Sequence, residues 1–207
     1  MDSKYSNWTK RCKQVFSDHH FEELIDIDVQ SGNHMVSALQ HTLQNDYIEH
    51  TWKVDLNRVN AKKGPGQNKL RTYRLFKQEY KTEAYVMNKN INKKERHALA
   101  RIRCGIAPIR VELGRYDHGT YVPVEDRICE ICRTAVEDEK HILLNCVYYN
   151  DLHIKLFKDA STINEHFSEM SEDDKFIFLM SNPNVCIFTA KTCKKILDRR
   201  KFYFRNF

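Results

Sequence analysis

The sequence predicts a mainly α-helical bundle that is interrupted by one irregular loop region. Two Trp, ten Tyr and eleven Phe among 207 residues are more aromatic side chains than a disordered chain carries, although 30% of the residues are charged. Only six glycines leave few positions for positive φ, which disfavours a β-sandwich or barrel with many tight turns. Apolar residues recur instead at helical spacing in several segments.

The N-terminal helical region, residues 1–61, contains two such segments. The first predicts a helix over residues 7–18 with Asn7 as its N-cap. Its apolar residues are Trp8, Cys12, Val15 and Phe16. The second segment predicts a helix over residues 33–52, and its apolar residues are Met35, Val36, Leu39, Leu43, Tyr47 and Ile48. We interpret these side chains as core residues and not as a cofactor pocket.

Residues 62–67, Lys-Lys-Gly-Pro-Gly-Gln, break the periodicity and predict an exposed linker between two subdomains. A basic helical region follows, over residues 68–114. Its first helix is predicted over residues 68–84. The residues that carry this periodicity are Leu70, Tyr73, Phe76, Lys77 and Tyr80.

The second helix of the basic region is better marked, and we place it over residues 92–105. Asn92 and Glu95 are three residues apart and fit a capping box, in which each residue satisfies a free backbone N–H at the helix start. Gly105 can end the helix in the left-handed conformation.

After Pro108 the chain is predicted to form irregular loops to about residue 136, inside a third region that spans residues 115–160. Another helix is predicted past residue 146, with the apolar residues Tyr148, Leu152, Leu156 and Phe157.

The C-terminal helices occupy residues 161–207. Ser171 and Asp174 predict a capped helix start, and a last helix is predicted from Asn184 to about Phe204. Cys186 and Cys193 fall on one face of that last helix, so we interpret both as buried apolar residues and not as metal ligands.

The net charge of +6 hides a strong segregation of charge. Residues 51–110 carry 16 Lys and Arg against four Asp and Glu, whereas residues 1–50 and 111–150 each have a net charge of −4. Further basic residues lie near the end, from Lys191 to Arg205. Such a basic block with interleaved aromatic residues is typical of a nucleic-acid binder. A solvated helical face is the alternative.

The sharpest signal is Cys129-x2-Cys132-x8-His141-x4-Cys146, three thiols and an imidazole within 18 residues. Four such ligands complete the tetrahedral coordination of one Zn²⁺ and leave no open position, which predicts a structural zinc knuckle that holds the loop region together. The alternatives are unrelated core thiols near a surface histidine, or an iron–sulfur site. Cys104 is a further candidate ligand, although its predicted helix needs it for packing.

Motifs of catalysis are absent from the sequence: it has no phosphate-binding Gly-rich loop, no nucleophile elbow and no His-Glu-x-x-His. Asp173-Asp174 is interpreted as a helix cap, and His19-His20 has no cysteine nearby. We therefore expect a protein without enzymatic activity. A metal-dependent nuclease remains the enzymatic alternative, because the acidic residues 137–139 lie beside His141.

No apolar stretch approaches the length of a membrane span, and residues 1–8 lack the apolar core of a signal peptide. These features predict an intracellular protein, nuclear or cytoplasmic, without membrane contact. Reduced cysteines are expected there, so the odd number of seven favours metal ligation over disulfides.

Four segments together resemble the C-terminal zinc-binding region of reverse transcriptases from LINE-like non-LTR retrotransposons. They are residues 99–105 (LARIRCG), 111–116 (VELGRY), 123–132 (PVEDRICEIC) and 137–149 (EDEKHILLNCVYY). The resemblance is strongest over residues 95–160, and a weaker likeness covers most of the chain.

The resemblance implies a helical region that follows a polymerase thumb and ends in a CCHC knuckle that helps to hold template RNA or target DNA. Cys129, Cys132, His141 and Cys146 match its four ligands, and Arg115 and Arg127 match basic positions beside it. The polymerase palm and the endonuclease have no counterpart in this chain, which suggests a truncated or domesticated element. A reverse transcriptase core is a possible protein partner.

The sequence thus predicts a zinc-stabilised module that binds RNA or DNA. The alternatives are a protein-interaction module, whose basic block docks an acidic partner, and a non-functional remnant of a decayed element. The candidate contacts to nucleic acid are Lys69, Arg71, Arg74, Lys77, Lys93, Lys94, Arg101, Arg103, Arg115 and Arg127.

Overall fold

The structure is a computed structural model that describes residues 7–22, 33–54, 70–77 and 79–206. The chain divides into two compact units, Met1–Asn57 (unit 1) and Arg58–Phe207 (unit 2). The predicted linker, residues 62–67, lies outside the described residues.

Unit 1 contains the two helices that the sequence predicts. Helix α1 spans Asn7–Asp18, and helix α2 spans Asn33–Tyr47 and continues into a π-helical turn over Ile48–Trp52. Leu39 is buried as predicted, whereas Val36 and Tyr47, which the same pattern places in the core, are each 44% exposed. The predicted cap at Asn7 lies outside the described side chains.

Unit 2 is mainly helical and contains one small β-hairpin. Its α-helices are α3 (Ala84–Met87), α4 (Lys93–Arg103), α5 (Arg110–Leu113), α6 (Asn150–Ser161), α7 (Glu172–Ser181) and α8 (Cys186–Asn206). The hairpin pairs β1 (Tyr116–Asp117) with β2 (Thr120–Tyr121). Shorter helical turns lie at Tyr73–Leu75, Val124–Asp126, His141–Asn145, Val147–Tyr149 and Glu165–Glu169. Within the described ranges, no helix is both long enough and apolar enough to cross a membrane.

The starts of α4 and α7 follow the predicted capping patterns. The Glu95 N–H donates to Asn92 Oδ1 and the Asn92 N–H donates to Glu95 Oε2, both at 3.0 Å. At α7, the Asp174 N–H donates to Ser171 Oγ at 3.1 Å. Gly105, with φ of 66°, follows the end of α4 in the left-handed conformation. These local signals therefore fix both helices where the sequence predicts them.

Helix α8 lies at the centre of unit 2 and packs against α4, α6 and α7. Cys186, Ala190, Cys193 and Ile196 bury one face of α8, which confirms the predicted role of the two cysteines. The regions 68–114, 115–160 and 161–207 that the sequence separates share this one hydrophobic core.

The predicted helix over residues 68–84 is wrong. Over the described part of this segment, residues 70–77 and 79–84, the chain forms a 3₁₀ turn at Tyr73–Leu75, and α3 begins at Ala84. Thr72 and Lys77 are buried, and both bond to groups that a regular helix over this segment would not offer; only the partner of Thr72 is distant in the chain. The Thr72 hydroxyl donates to Glu139 Oε2 at 3.2 Å, and Lys77 Nζ lies 2.5 Å from Glu83 Oε1.

The loop region after Pro108 is largely irregular, as predicted, but it contains the hairpin and α5. The turn of the hairpin is His118-Gly119, with φ of 47° and 85°. Two consecutive residues with positive φ match the right-handed twist of a two-residue hairpin. The pairing covers only two residues on each strand, which is too short for an alternating pattern in the sequence.

Arg103 forms the most enclosed ion pair of α4. Its side chain is 3% exposed, its Nη2 donates to Glu83 Oε2 at 2.6 Å, and its guanidinium lies 4.3 Å from the ring centroid of Phe76 and 5.1 Å from that of Tyr85. Two aromatic rings and one carboxylate thus surround the charge. The residue ties α4 to the segment that precedes it.

We predict that Arg103→Met lowers the free energy of unfolding of the protein by about 3 kcal/mol, since it leaves Glu83 with Lys77 as its remaining partner. Urea denaturation followed by circular dichroism measures the change. The control is Lys89→Met, an exposed residue at which we expect a change within about 0.5 kcal/mol. Equal stability of the two variants would contradict this role of Arg103.

Candidate metal centre

Cys129, Cys132, His141 and Cys146 come together as the sequence predicts, and we call them the CCHC cluster. Their ligand atoms all lie within 4.8 Å of one another. Cys129, His141 and Cys146 are buried, and Cys132 is half-buried. Cys104 does not belong to the cluster, which removes it as an alternative ligand.

The first two ligands lie on a narrow loop that is closed by backbone hydrogen bonds. An isolated antiparallel bridge pairs Ile128 with Val136. The Cys129 N–H donates to the Ala135 carbonyl, and the Arg133 N–H donates to the Cys129 carbonyl, both at 2.8 Å. Arg133 has φ of 58°, so the chain reverses there through the left-handed region. This reversal turns both thiols of the pair toward the same point.

The other two ligands flank a π-helical turn, His141–Asn145. In a regular α-helix, side chains five residues apart point about 140° away from each other. Here the Cys146 N–H donates to the His141 carbonyl at 2.8 Å, which widens the turn to five residues. The His141 N–H donates to Asp138 Oδ1 at 2.7 Å and fixes the start of the turn. The wider turn is the local feature that brings both ligands to the cluster.

Hydrogen bonds within the cluster favour one thiolate. A hydrogen bond from the Cys146 thiol, with further hydrogen bonds from His141 and from the Cys132 and Ile131 backbone, lowers the pKa of Cys129 well below its ordinary value. The same bond raises the pKa of Cys146, which keeps its proton. Burial lowers the pKa of His141, but its hydrogen bonds to Cys129 and Cys132 raise the pKa by more than burial lowers it, so the net shift is upward. The three thiols and the imidazole thus share protons through their hydrogen bonds. A metal ion bound to the cluster would displace these protons.

The donor set is complete for a single metal ion. His141 Nε2 lies 3.2 Å from Cys132 Sγ, and three sulfurs and one nitrogen surround one point. Among the residues that the structure describes, these four form the one group of His, Cys, Asp or Glu that is arranged to hold a metal, and His19-His20 is not part of it.

The acidic residues beside the cluster serve internal pairing. Glu137 is 0% exposed; it accepts hydrogen bonds from Arg200 Nε and Nη2 at 2.7 and 2.8 Å and from the Arg110 N–H at 2.6 Å. Glu139 is also buried, and its Oε1 lies 2.6 Å from Arg71 Nη2. Both carboxylates are therefore engaged by arginines, whereas a nuclease centre needs them near the ion.

Asp173-Asp174 was predicted as a cap, and the structure confirms it. The Asp174 N–H is satisfied by Ser171, and Asp173 Oδ1 pairs with Lys140 Nζ at 2.8 Å. Neither carboxylate faces the CCHC cluster's ligand set.

Several predicted contacts to nucleic acid are corrected by the structure. Arg127 is 2% exposed, and its guanidinium donates to the Val111 carbonyl at 2.6 Å and to the Val122 carbonyl at 2.7 Å. Arg103 and Lys77 are buried against Glu83 as described above. These three charges bond inside the protein and are not available to a phosphate.

Arg71 and Arg115 are corrected in the same way. Both pair with Glu112, and Arg71 also pairs with Glu139. For Arg71 the physical reason is charge pairing between segments, because its partners lie in the acidic region 111–150. Arg115 pairs within that region, three residues from Glu112. Summed charge along a sequence does not show which residues will pair.

The remaining candidates lie on the surface. Lys93 and Lys94 are exposed on α4, and Arg74 and Arg101 are half-exposed. Lys69 lies outside the described residues. Lys201 and Arg205 on α8 line the same groove as Lys94 and Arg101, and the sequence argument missed this. The basic residues near the end of the chain were the only sequence feature that pointed to this groove. Spacing along the sequence cannot show that residues about a hundred positions apart lie together.

A comparison of the chain with protein-family models, with curated proteins and with solved structures finds no match. The resemblance to the retrotransposon reverse transcriptases therefore stays a prediction from the residues quoted above.

We predict that the purified protein holds about one equivalent of metal and that Cys129→Ser and His141→Ala hold less than about half an equivalent, because each removes one of four ligands. Mass spectrometry of the metal content gives the stoichiometry, and limited proteolysis shows cleavage between residues 115 and 160 in the variants. Cys104→Ser is the control and keeps its metal. Equal metal content in all four proteins would contradict the assignment.

His153 holds the π-helical turn from α6. It is buried, its Nε2 lies 3.0 Å from the Ile142 carbonyl, and burial lowers its pKa. The unfolded state therefore binds a proton on His153 that the folded state excludes. The contribution of neutral His153 to the free energy of unfolding is complete above about pH 6.5, and it is lost as the pH falls through the lowered pKa.

The variant His153→Gln keeps an amide donor for the Ile142 carbonyl but has no group that titrates. We predict that lowering the pH from about 7 to 5 reduces the free energy of unfolding less in this variant than in the wild type. Urea titrations at several pH values measure both curves. The metal ligands titrate in both proteins, so the difference between the curves isolates His153. Parallel curves would contradict the assigned role.

Proposed function

We propose that the chain is a zinc-stabilised module that binds nucleic acid and has no enzymatic activity of its own. The observation that carries the proposal is the CCHC cluster, with its four buried or half-buried ligands around one point. Two further observations support the binding of nucleic acid. They are the cations on α4 and α8 that have no described ion-pair partner, and the resemblance to the C-terminal region of LINE-like reverse transcriptases.

Zinc fits the donor set better than other common metals. Three thiolates and one imidazole suit Zn²⁺, whereas iron–sulfur clusters prefer four thiolates and Mg²⁺ or Ca²⁺ prefer oxygen. Tetrahedral zinc with Zn–S near 2.3 Å and Zn–N near 2.0–2.1 Å places its ligand atoms about 3.5–3.8 Å apart. The observed separations run from 3.2 Å, between Cys132 Sγ and His141 Nε2, up to a limit of 4.8 Å, so small shifts of the four side chains would bring them to these values.

The role of the ion is structural. A closed tetrahedral site offers no position for water or substrate, so the zinc contributes folding free energy, of the order of 10–16 kcal/mol in small zinc domains. It fixes the narrow loop at Cys129 and the π-helical turn at His141. Glu137 lies four residues before His141 and binds Arg200 on α8. The metal centre therefore also helps to hold α8 in place, and α8 carries the basic residues Lys201 and Arg205.

Nucleic acid is the partner that the exposed charge favours. Lys94, Arg101, Lys201 and Arg205 line one groove, and no described carboxylate lies within ion-pair distance of them. Phosphates that replace bound counterions on such cations give affinity that falls steeply with salt.

We predict micromolar or tighter binding of the full chain to RNA or DNA at low salt, with affinity falling about 50-fold between 50 and 200 mM salt if four phosphates are contacted. Fluorescence anisotropy with labelled structured RNA, single strands and duplex DNA measures it. An absence of binding to every probe at 50 mM salt would contradict the proposal.

A pull-down with and without nuclease separates this proposal from a protein-interaction module. Partners that are lost after nuclease treatment are bound through nucleic acid. Partners that persist, together with an absence of binding to the labelled probes, would assign the basic surface to an acidic protein.

A further inference from the structure

Helices α4 and α8 pack together and enclose a groove of about 550 Å³ along one side of their contact. Grooves of about 300–1,000 Å³ are the size that holds small ligands or parts of larger ones. Its floor is apolar and is formed by Ala98, Pro108 and Leu197. We call it the α4–α8 groove.

The walls of the groove are cationic. Lys94 and Arg101 from α4 and Lys201 and Arg205 from α8 line the groove together, and we call these four the wall cations. The one carboxylate among the lining residues, Asp198, is paired with Lys194. Within the described ranges the four wall cations have no ion-pair partner, so the groove presents a net charge of about +4 to an incoming ligand.

One aromatic ring completes the groove. Phe204 lines it and is 41% exposed, although it is a large apolar side chain. The guanidinium of Arg200 lies 4.5 Å from the centroid of this ring, and Arg200 is itself held by Glu137. The ring is therefore supported by a fixed cation, and it still presents surface to the groove.

We propose that the α4–α8 groove binds single-stranded nucleic acid, with backbone phosphates against the four wall cations and an unpaired base stacked on Phe204. The inference rests on the proposed function and assigns its binding site. An apolar floor with one accessible ring favours unpaired bases, because the faces of paired bases are covered inside a duplex. An acidic protein would satisfy the cations but would leave the ring and floor without a matching planar group.

The test compares charge removal inside and outside the groove. Lys94→Gln/Lys201→Gln removes two exposed wall cations, and Lys155→Gln/Lys158→Gln removes two exposed cations from α6 as a matched control. At 0.1 M salt each lost phosphate contact to a single strand weakens binding about fivefold, so we expect a loss of about 25-fold for the groove variant and a salt slope shallower by about 1.4. We expect less than about a twofold change for the control, since its cations contact no phosphate.

The probe is a fluorescein-labelled 20-nucleotide single-stranded RNA of mixed sequence, measured by anisotropy on the full chain, with the same sequence as a duplex in parallel. Phe204→Leu keeps apolar contact with Arg200 but removes the aromatic face. We expect it to weaken single-strand binding about fivefold or more and to leave duplex binding within about twofold.

Each other outcome overturns the inference in a distinct way. If the wild type binds the probe but both double variants lose affinity equally, the groove is wrong and the proposed function stands. If the wild type binds no probe, both fail. If poly-glutamate of equal charge competes as well as the RNA, or vesicles with anionic lipid bind as tightly as the RNA, then the groove selects charge alone and is not a nucleic-acid site.

Discussion

Three thiols and one imidazole converge on one point inside unit 2, and the surrounding backbone is shaped to permit that convergence. The left-handed residue Arg133 reverses the chain directly after Cys132, and the π-helical turn after Lys140 spaces His141 and Cys146. Neither feature is the lowest-energy choice for an isolated peptide. A cation bound by all four ligands would compensate for both, which is why we treat the CCHC cluster as the central constraint of the fold.

The second organising feature is the pairing of buried arginines with acidic residues close to the metal. Glu137 and Glu139, four and two residues before His141, bind Arg200 and Arg71, respectively, from distant parts of unit 2. Removing Arg71 leaves the buried Glu139 without an ion-pair partner, and removing either Glu137 or Arg200 leaves a buried charge without compensation. These pairs therefore specify which segments meet the CCHC cluster. The pair with Glu139 removes Arg71 from the basic block as a phosphate contact, whereas Lys94, Arg101, Lys201 and Arg205 line the α4–α8 groove without a described ion-pair partner.

Features encoded by neighbouring residues were predictable from the sequence, and features that depend on distant residues were not. The capping box at Asn92 and the spacing of the CCHC cluster involve residues close in the chain, and both appear as expected. The helix predicted over residues 68–84 fails because Thr72 and Lys77 bond to distant or non-helical partners that periodicity cannot show. The same limit explains why Arg103 and Arg127 looked like phosphate contacts before their burial was known.

The central claim is that one zinc ion is held by three sulfurs and one nitrogen in a closed site. X-ray absorption at the zinc edge of the purified full chain tests this claim directly, because it counts the ligand atoms and measures their distances. The account predicts three sulfur atoms at about 2.3 Å and one nitrogen at about 2.0–2.1 Å, with no water in the first coordination shell. A shell dominated by oxygen, or a protein that retains no zinc, would contradict it.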